Sequence, residues 1–103
     1  MIKVSVFGRK ECDACKAAVR KITYFSQKWG KERDTAIDFV DMDTPDGLAE
    51  GAYRDVYDVP TVIFEDSGCE IARWVRKVPE SREFRDYLLK EPVDEKPRDK
   101  GVR

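Results

Sequence analysis

Two thiols three residues apart, Cys12 and Cys15, stand in the stretch Phe7-Gly8-Arg9-Lys10-Glu11-Cys12-Asp13-Ala14-Cys15. On a helix, positions i and i+3 are neighbours about 5–6 Å apart, within the span that a disulfide bridges. A helix that begins at the first of them offers free N–H groups and a positive dipole end to a thiolate. This pattern predicts a dithiol that cycles with a disulfide, Cys12 attacking and Cys15 resolving. Arg9, Lys10 and the helix end favour the Cys12 thiolate, while Glu11 and Asp13 oppose them. A modestly lowered pKa and a reducing couple are expected.

The competing use of such a pair is metal. A tetrahedral site needs four ligands, and this chain has no histidine and only one further cysteine, Cys69. The alternative is therefore a binding module whose dithiol holds a metal, shares an iron–sulfur cluster with a second copy, or does no chemistry. The lack of histidine also excludes Cys–His and Ser–His–Asp catalytic sets.

The elements around the pair place it at a strand-to-helix junction. Ile2, Val4 and Val6 alternate with Lys3, Ser5 and Phe7, the two-residue period of a strand. Beyond Asp13, apolar residues at Cys15, Ala18, Ile22, Phe25 and Trp29, widened by Val19, trace one face of a four-turn helix that ends near Gly30. After the polar connector 31–35, Ala36 to Asp43 predicts a second strand, parallel to the first by the right-handed crossover rule. Thr44-Pro45 opens a second helix as N-cap and first position, with Leu48, Ala52 and Val56 as its apolar stripe and Gly47 and Gly51 weakening it. Val62-Ile63-Phe64 is a third strand that Pro60 opens. Asp66-Ser67-Gly68 turns the chain into an antiparallel fourth strand, Cys69 to Val75, whose inward face the alternation leaves open. Pro79-Glu80-Ser81 begins a last helix with Phe84, Tyr87 and Leu88 on one face.

The expected fold is α/β: βαβαββα, a four-stranded mixed sheet ordered 2-1-3-4 with helices on both faces. One domain spans 1–91, and the charged, proline-punctuated run 92–103 is expected to be a flexible tail. Cys69 falls at the hairpin turn, at the far end of the sheet from Cys12, where it cannot reach the pair within one chain. Trp29 and Trp74 are expected to be packing residues.

Composition bounds the partners. Of 103 residues 40% are charged, yet the formal net charge is −1, so no basic stripe argues for nucleic acid. No apolar run reaches the roughly 18 residues of a membrane span, and Met1 leads straight into a strand without a signal-peptide pattern. A cytoplasmic monomer is expected, where a Cys-x-x-Cys is redox-active or metal-binding, not a structural staple.

A first strand ending in Cys-x-x-Cys at a helix start, followed by Val59-Pro60-Thr61 opening the third strand, resembles the thioredoxin superfamily and its compact glutaredoxin-like and thioredoxin-like members. The resemblance covers Ile2 to about Leu89. It implies a thiol–disulfide oxidoreductase with Cys12 and Cys15 catalytic and no bound cofactor, acting on a disulfide-containing protein and recycled by a reductase or small thiol. It further implies a cis Pro60 beside the dithiol and a Val59 backbone that pairs with an extended substrate. Lys10, Val59, Pro60 and Thr61 are the implied substrate-binding residues. The chain departs from thioredoxins proper in having Glu11 before Cys12, Asp13-Ala14 between the thiols, and no acid in Val4-Ser5-Val6-Phe7. It departs from glutaredoxins in having Arg76-Lys77 where those carry a Gly pair and acidic residues; this pair is expected at the active-site end of the fourth strand, where it either selects an acidic partner or forms a plain solvated loop.

Overall fold

In the computed structural model the described residues are 1–89, so the expected domain end at 91 and the tail 92–103 lie outside them. The β-branched opening forms β1 (Ile2–Gly8), and α1 (Asp13–Lys28) follows the cysteine loop. Then come β2 (Thr35–Asp41), α2 (Pro45–Tyr53), β3 (Thr61–Asp66), β4 (Cys69–Val75) and α3 (Ser81–Leu88). The strands form one sheet ordered β2-β1-β3-β4. β1 runs parallel to β2 and antiparallel to β3, and β3 and β4 form a hairpin. The expected βαβαββα architecture and strand order are therefore observed.

The pleat sends alternate residues of each strand to opposite faces, and each face has its own core. On one, Val4, Val6, Val62, Phe64 and Trp74 pack beneath Ala18 and Ile22 of α1 and Phe84 and Leu88 of α3. Phe25 and Trp29, stacked at 4.8 Å, close the edge of this core and stay partly buried. On the other, Phe7 and Ile63 meet Met42 and Val56. Each fully buried side chain of this size contributes about 1.5–3 kcal/mol.

α1 stops where expected: Gly30 has φ +69°, the left-handed conformation that a helix end needs and glycine takes without strain. The expected stripe of α1 is incomplete, because Ser26 is buried with it; its hydroxyl donates to the Thr23 carbonyl at 2.9 Å, which makes burial tolerable. Thr35, placed by sequence in the connector, is instead the first residue of β2 and is buried.

Of the expected α2 stripe only Val56, just past the helix end, is buried. Leu48 is 55% exposed and Ala52 faces solvent, whereas Gly47 and Gly51 are the buried positions. The reason is close approach. A Cβ on Gly47 would overlap the Asp41 carbonyl, and one on Gly51 would meet Met42 Cε at 2.7 Å. Thr44 does cap the helix, accepting the Gly47 amide at 3.0 Å.

The structure also decides the face of β4. Trp74 is buried and Ala72 packs beside it on the α1–α3 side, while Ile71 and Val75 are exposed. Arg73 points the other way and donates to the Arg54 carbonyl at 2.8 Å, the Asp55 carbonyl at 3.0 Å and the Glu70 carboxylate at 2.9 Å. Arg54 in turn meets Glu65 at 2.7 Å. This polar network covers the flank of the sheet that the short α2 leaves open.

Candidate active site

β1 delivers the chain to the site. Its last residue, Gly8, is buried against Cys15: a Cβ there would lie 2.6 Å from both Cβ and Sγ of Cys15. The loop that follows is pinned at two points. The Cys12 amide donates to the Arg9 carbonyl at 3.2 Å, and Arg9 Nε meets Asp43 Oδ1 at 3.5 Å. Cys12 then takes extended backbone angles, φ −93° and ψ 109°, as the N-cap of α1.

Cys12 and Cys15 are joined as a disulfide, their Cα atoms 5.2 Å apart. Their environments differ. Cys15 is completely buried, while Cys12 is partly exposed and its Sγ accepts the Cys15 amide at 3.1 Å. An N-cap sulfur that accepts a helix amide has the electrostatics that stabilise a thiolate once the disulfide opens. Beneath it the strand residues Val4, Ser5, Val6 and Phe7 are all buried and none can ionise.

The Val59–Pro60 peptide is cis, as the resemblance implies. Thr61 pairs with Phe7 across the sheet, so Pro60, one step further, sits level with Gly8 at the end of the ladder. Pro60 is buried, its carbonyl accepts the Arg76 amide at 2.7 Å, and Thr61 Oγ1 donates to the Asp58 carbonyl at 2.7 Å. Val59, Pro60 and Thr61 thus converge with Gly8 and the dithiol on one end of the sheet. Val59 also borders an apolar cavity of about 270 Å³ with Met42, Leu48, Val56 and Tyr57.

Lys10 lines a neighbouring groove of about 500 Å³ on the α1–β2 side, with Lys16, Val19, Arg20 and Phe39. Cys69 is exposed on the hairpin, in the pair Asp66–Cys69, and Asp66 pairs with Ile2 at the opposite end of β1 from Gly8. The expected separation of Cys69 from the dithiol is observed. Among the described residues no group of three or more His, Cys, Asp or Glu side chains could hold a metal ion, and no helix is long and apolar enough to cross a membrane.

Solved structures share this fold. Thioredoxin 1 of the thermophilic eubacterium Thermosipho africanus superposes with a TM-score of 0.66 at 28% identity, over 82% of this chain and 89% of that one. The chain belongs to the thioredoxin superfamily. Oxidised thioredoxin O2 of Arabidopsis thaliana has the same fold, with a TM-score of 0.69 at 22% identity over 88% of this chain and 76% of that one. Thioredoxin-2 of the malaria parasite matches with a TM-score of 0.64 at 23% identity, over 85% and 78% of the two chains. No protein-family model and no curated protein sequence matches the chain. Its disulfide occupies the helix start of a thioredoxin fold, which supports a redox enzyme.

Sequence reasoning missed one residue of this site, Gly8, and the backbone of another, Arg76. Gly8 was legible only as part of a loop, although a glycine ending a strand next to a reactive helix is a signal of close approach. Arg76 was placed by sequence at the active-site end of β4 as a residue that can select an acidic partner; its left-handed backbone, φ +61°, was not legible.

Proposed function

We propose that this chain is a thiol–disulfide oxidoreductase that reduces disulfides of protein substrates. The observation that carries the reading is the asymmetry of the pair: a partly exposed Cys12 Sγ accepting a helix amide at 3.1 Å, with Cys15 buried behind it. In the dithiol form the Cys12 thiolate attacks one sulfur of the substrate disulfide. A mixed disulfide forms and the other substrate sulfur leaves as a thiolate. Cys15, having lost its proton, then attacks Cys12 Sγ and expels the second substrate thiolate. The substrate gains two electrons, and the protein, having given them up, is left with the Cys12–Cys15 disulfide. A reductase or a small thiol returns them, and the protein needs no bound cofactor for this.

The substrate lies along the cis-proline loop. An extended segment pairs with the Val59 backbone as an added strand, flanked by Pro60 and Thr61, and Lys10 contributes positive charge from the neighbouring groove. The protein works as a monomer in a reducing cytoplasm, where such a pair is kept open between turnovers.

The test is turnover of a protein disulfide by the purified chain. Cys12→Ser abolishes it, and Cys15→Ser accumulates the mixed disulfide, visible as a covalent adduct by mass. Activity in Cys12→Ser equal to that of the native chain refutes the proposal. Recycling by glutathione compared with recycling by a flavoprotein reductase assigns the electron source.

A further inference from the structure

Among the described residues three other than glycine have left-handed backbone: Asp55 at φ 58°, Ser67 at 54° and Arg76 at 61°. For the first two the side chains suit the conformation. Both are short and polar, and each bonds locally, Asp55 Oδ1 accepting from Tyr57 and Ser67 Oγ donating to Asp66. Arg76 has no such compensation, and glycine would take this geometry without strain. It also sits at the site. It directly follows Val75, the partner of Thr61, and its amide bonds the Pro60 carbonyl at 2.7 Å. The backbone is therefore fixed beside Pro60, at the end of the sheet where Cys12 is partly exposed.

The guanidinium itself is uncommitted. Arg9 pairs with Asp43, and Arg54 and Arg73 are held in the β3–β4 network, but Arg76 is exposed and has no ion pair among the described residues. Lys77 follows it and is exposed as well. Acidic residues of the site, Glu11, Asp13 and Asp58, are also exposed and make no ion pair with it. A planar cation with free donors is the side chain best suited to a carboxylate.

We infer that Arg76 is a specificity residue that pairs with a carboxylate next to the attacked cystine, so that preferred substrates carry acidic residues beside their disulfide. The inference rests on the oxidoreductase reading and adds the substrate class to it. The guanidinium touches the substrate flank, not the sulfurs, and its effect is on capture, weakening as salt screens it.

The test uses the reduced full chain in single turnover against three disulfide-bonded peptides, identical except for Asp, Gln or Lys beside the attacked cystine. The readout is the ratio of the Asp-peptide to the Lys-peptide rate constant within each variant, which cancels any loss of folded protein. The native chain favours the Asp peptide about fivefold, the scale of an exposed ion pair, and the preference shrinks at high salt. Arg76→Gly brings the ratio close to one, Arg76→Lys keeps most of it, and Arg76→Glu inverts it. An unchanged ratio in both Arg76→Gly and Arg76→Glu, with the native chain active, overturns the inference alone. Inactivity of the native chain on all three peptides overturns the oxidoreductase reading and the inference with it.

Discussion

Gly8 and Cys15 are in such close approach that one methyl group on Gly8 would fall 2.6 Å from the Cys15 sulfur. Both belong to rigid elements, the end of β1 and the first turn of α1. Cys15 is thus held by the strand beneath it as much as by the helix that carries it. Gly8→Ala should push the first turn of α1 away from the sheet. The expected cost is about 1–3 kcal/mol of stability, together with a slower second thiol step, because Cys15 no longer lies in line with Cys12. Thermal unfolding checks the first effect. Accumulation of mixed disulfide in the otherwise native dithiol checks the second.

The two buried glycines of α2 should respond differently. A Cβ on Gly47 meets the Asp41 carbonyl, which is backbone and cannot turn aside. Gly47→Ala is expected to destabilise by more than about 2 kcal/mol. At Gly51 the nearest obstacle is the far end of Met42, a flexible side chain that can move, with the Val56 carbonyl a looser contact at 3.2 Å, and alanine improves helix propensity by about 1 kcal/mol. Gly51→Ala should therefore stay within about 1 kcal/mol of the native chain in denaturant titration. Equal penalties at the two positions would contradict this account.

Glu70 gives the fold a pH dependence. The hydrogen bonds from Arg73, then the positive charges of Arg73 and Arg54, hold its carboxyl below its ordinary value against an opposing loss of hydration. A carboxylate with a lowered folded-state pKa stabilises the protein above its unfolded-state pKa, and that contribution disappears as pH falls through the folded value. Glu70→Gln should lower the unfolding temperature near pH 7, and the gap to the native chain should close as pH falls through the lowered folded-state value. Glu70 is substantially exposed, with solvent reaching 36% of its side chain, so screening limits the effect to less than about 1 kcal/mol. A gap that widens on acidification would show that the sign is wrong.

Thr35 carries a buried hydroxyl with no hydrogen-bond partner among the described residues. Burying such a group costs about 1–3 kcal/mol. Thr35→Val keeps the shape and the β-branching and removes the cost. The variant is expected to raise the unfolding temperature, with thiol chemistry unchanged because β2 begins at the opposite end of the sheet from Gly8.

How much of this was legible depended on whether the determinant was local. The strand-to-helix junction could be read from alternation giving way to a three- and four-residue period. Thr44 with Pro45 and Gly30 announced helix ends, and Pro60 announced a strand start, because each acts through its own backbone. The outer residues of α1 were less legible: Ser26 is polar, yet it buries because it can bond back to Thr23.

Sequence alone thus determined the order of the elements, the place of the Cys12–Cys15 pair at the start of α1 and the separation of Cys69 from it. These follow from periodicity, end chemistry and strand length. Only the tertiary structure decided which face of β4 turns inward, why α2 buries Gly47 and Gly51 in place of Leu48 and Ala52, and how Gly8 and Arg76 frame the site. Periodicity states which residues share a face. Which face is inside, and how closely two backbones meet there, depends on the opposing element.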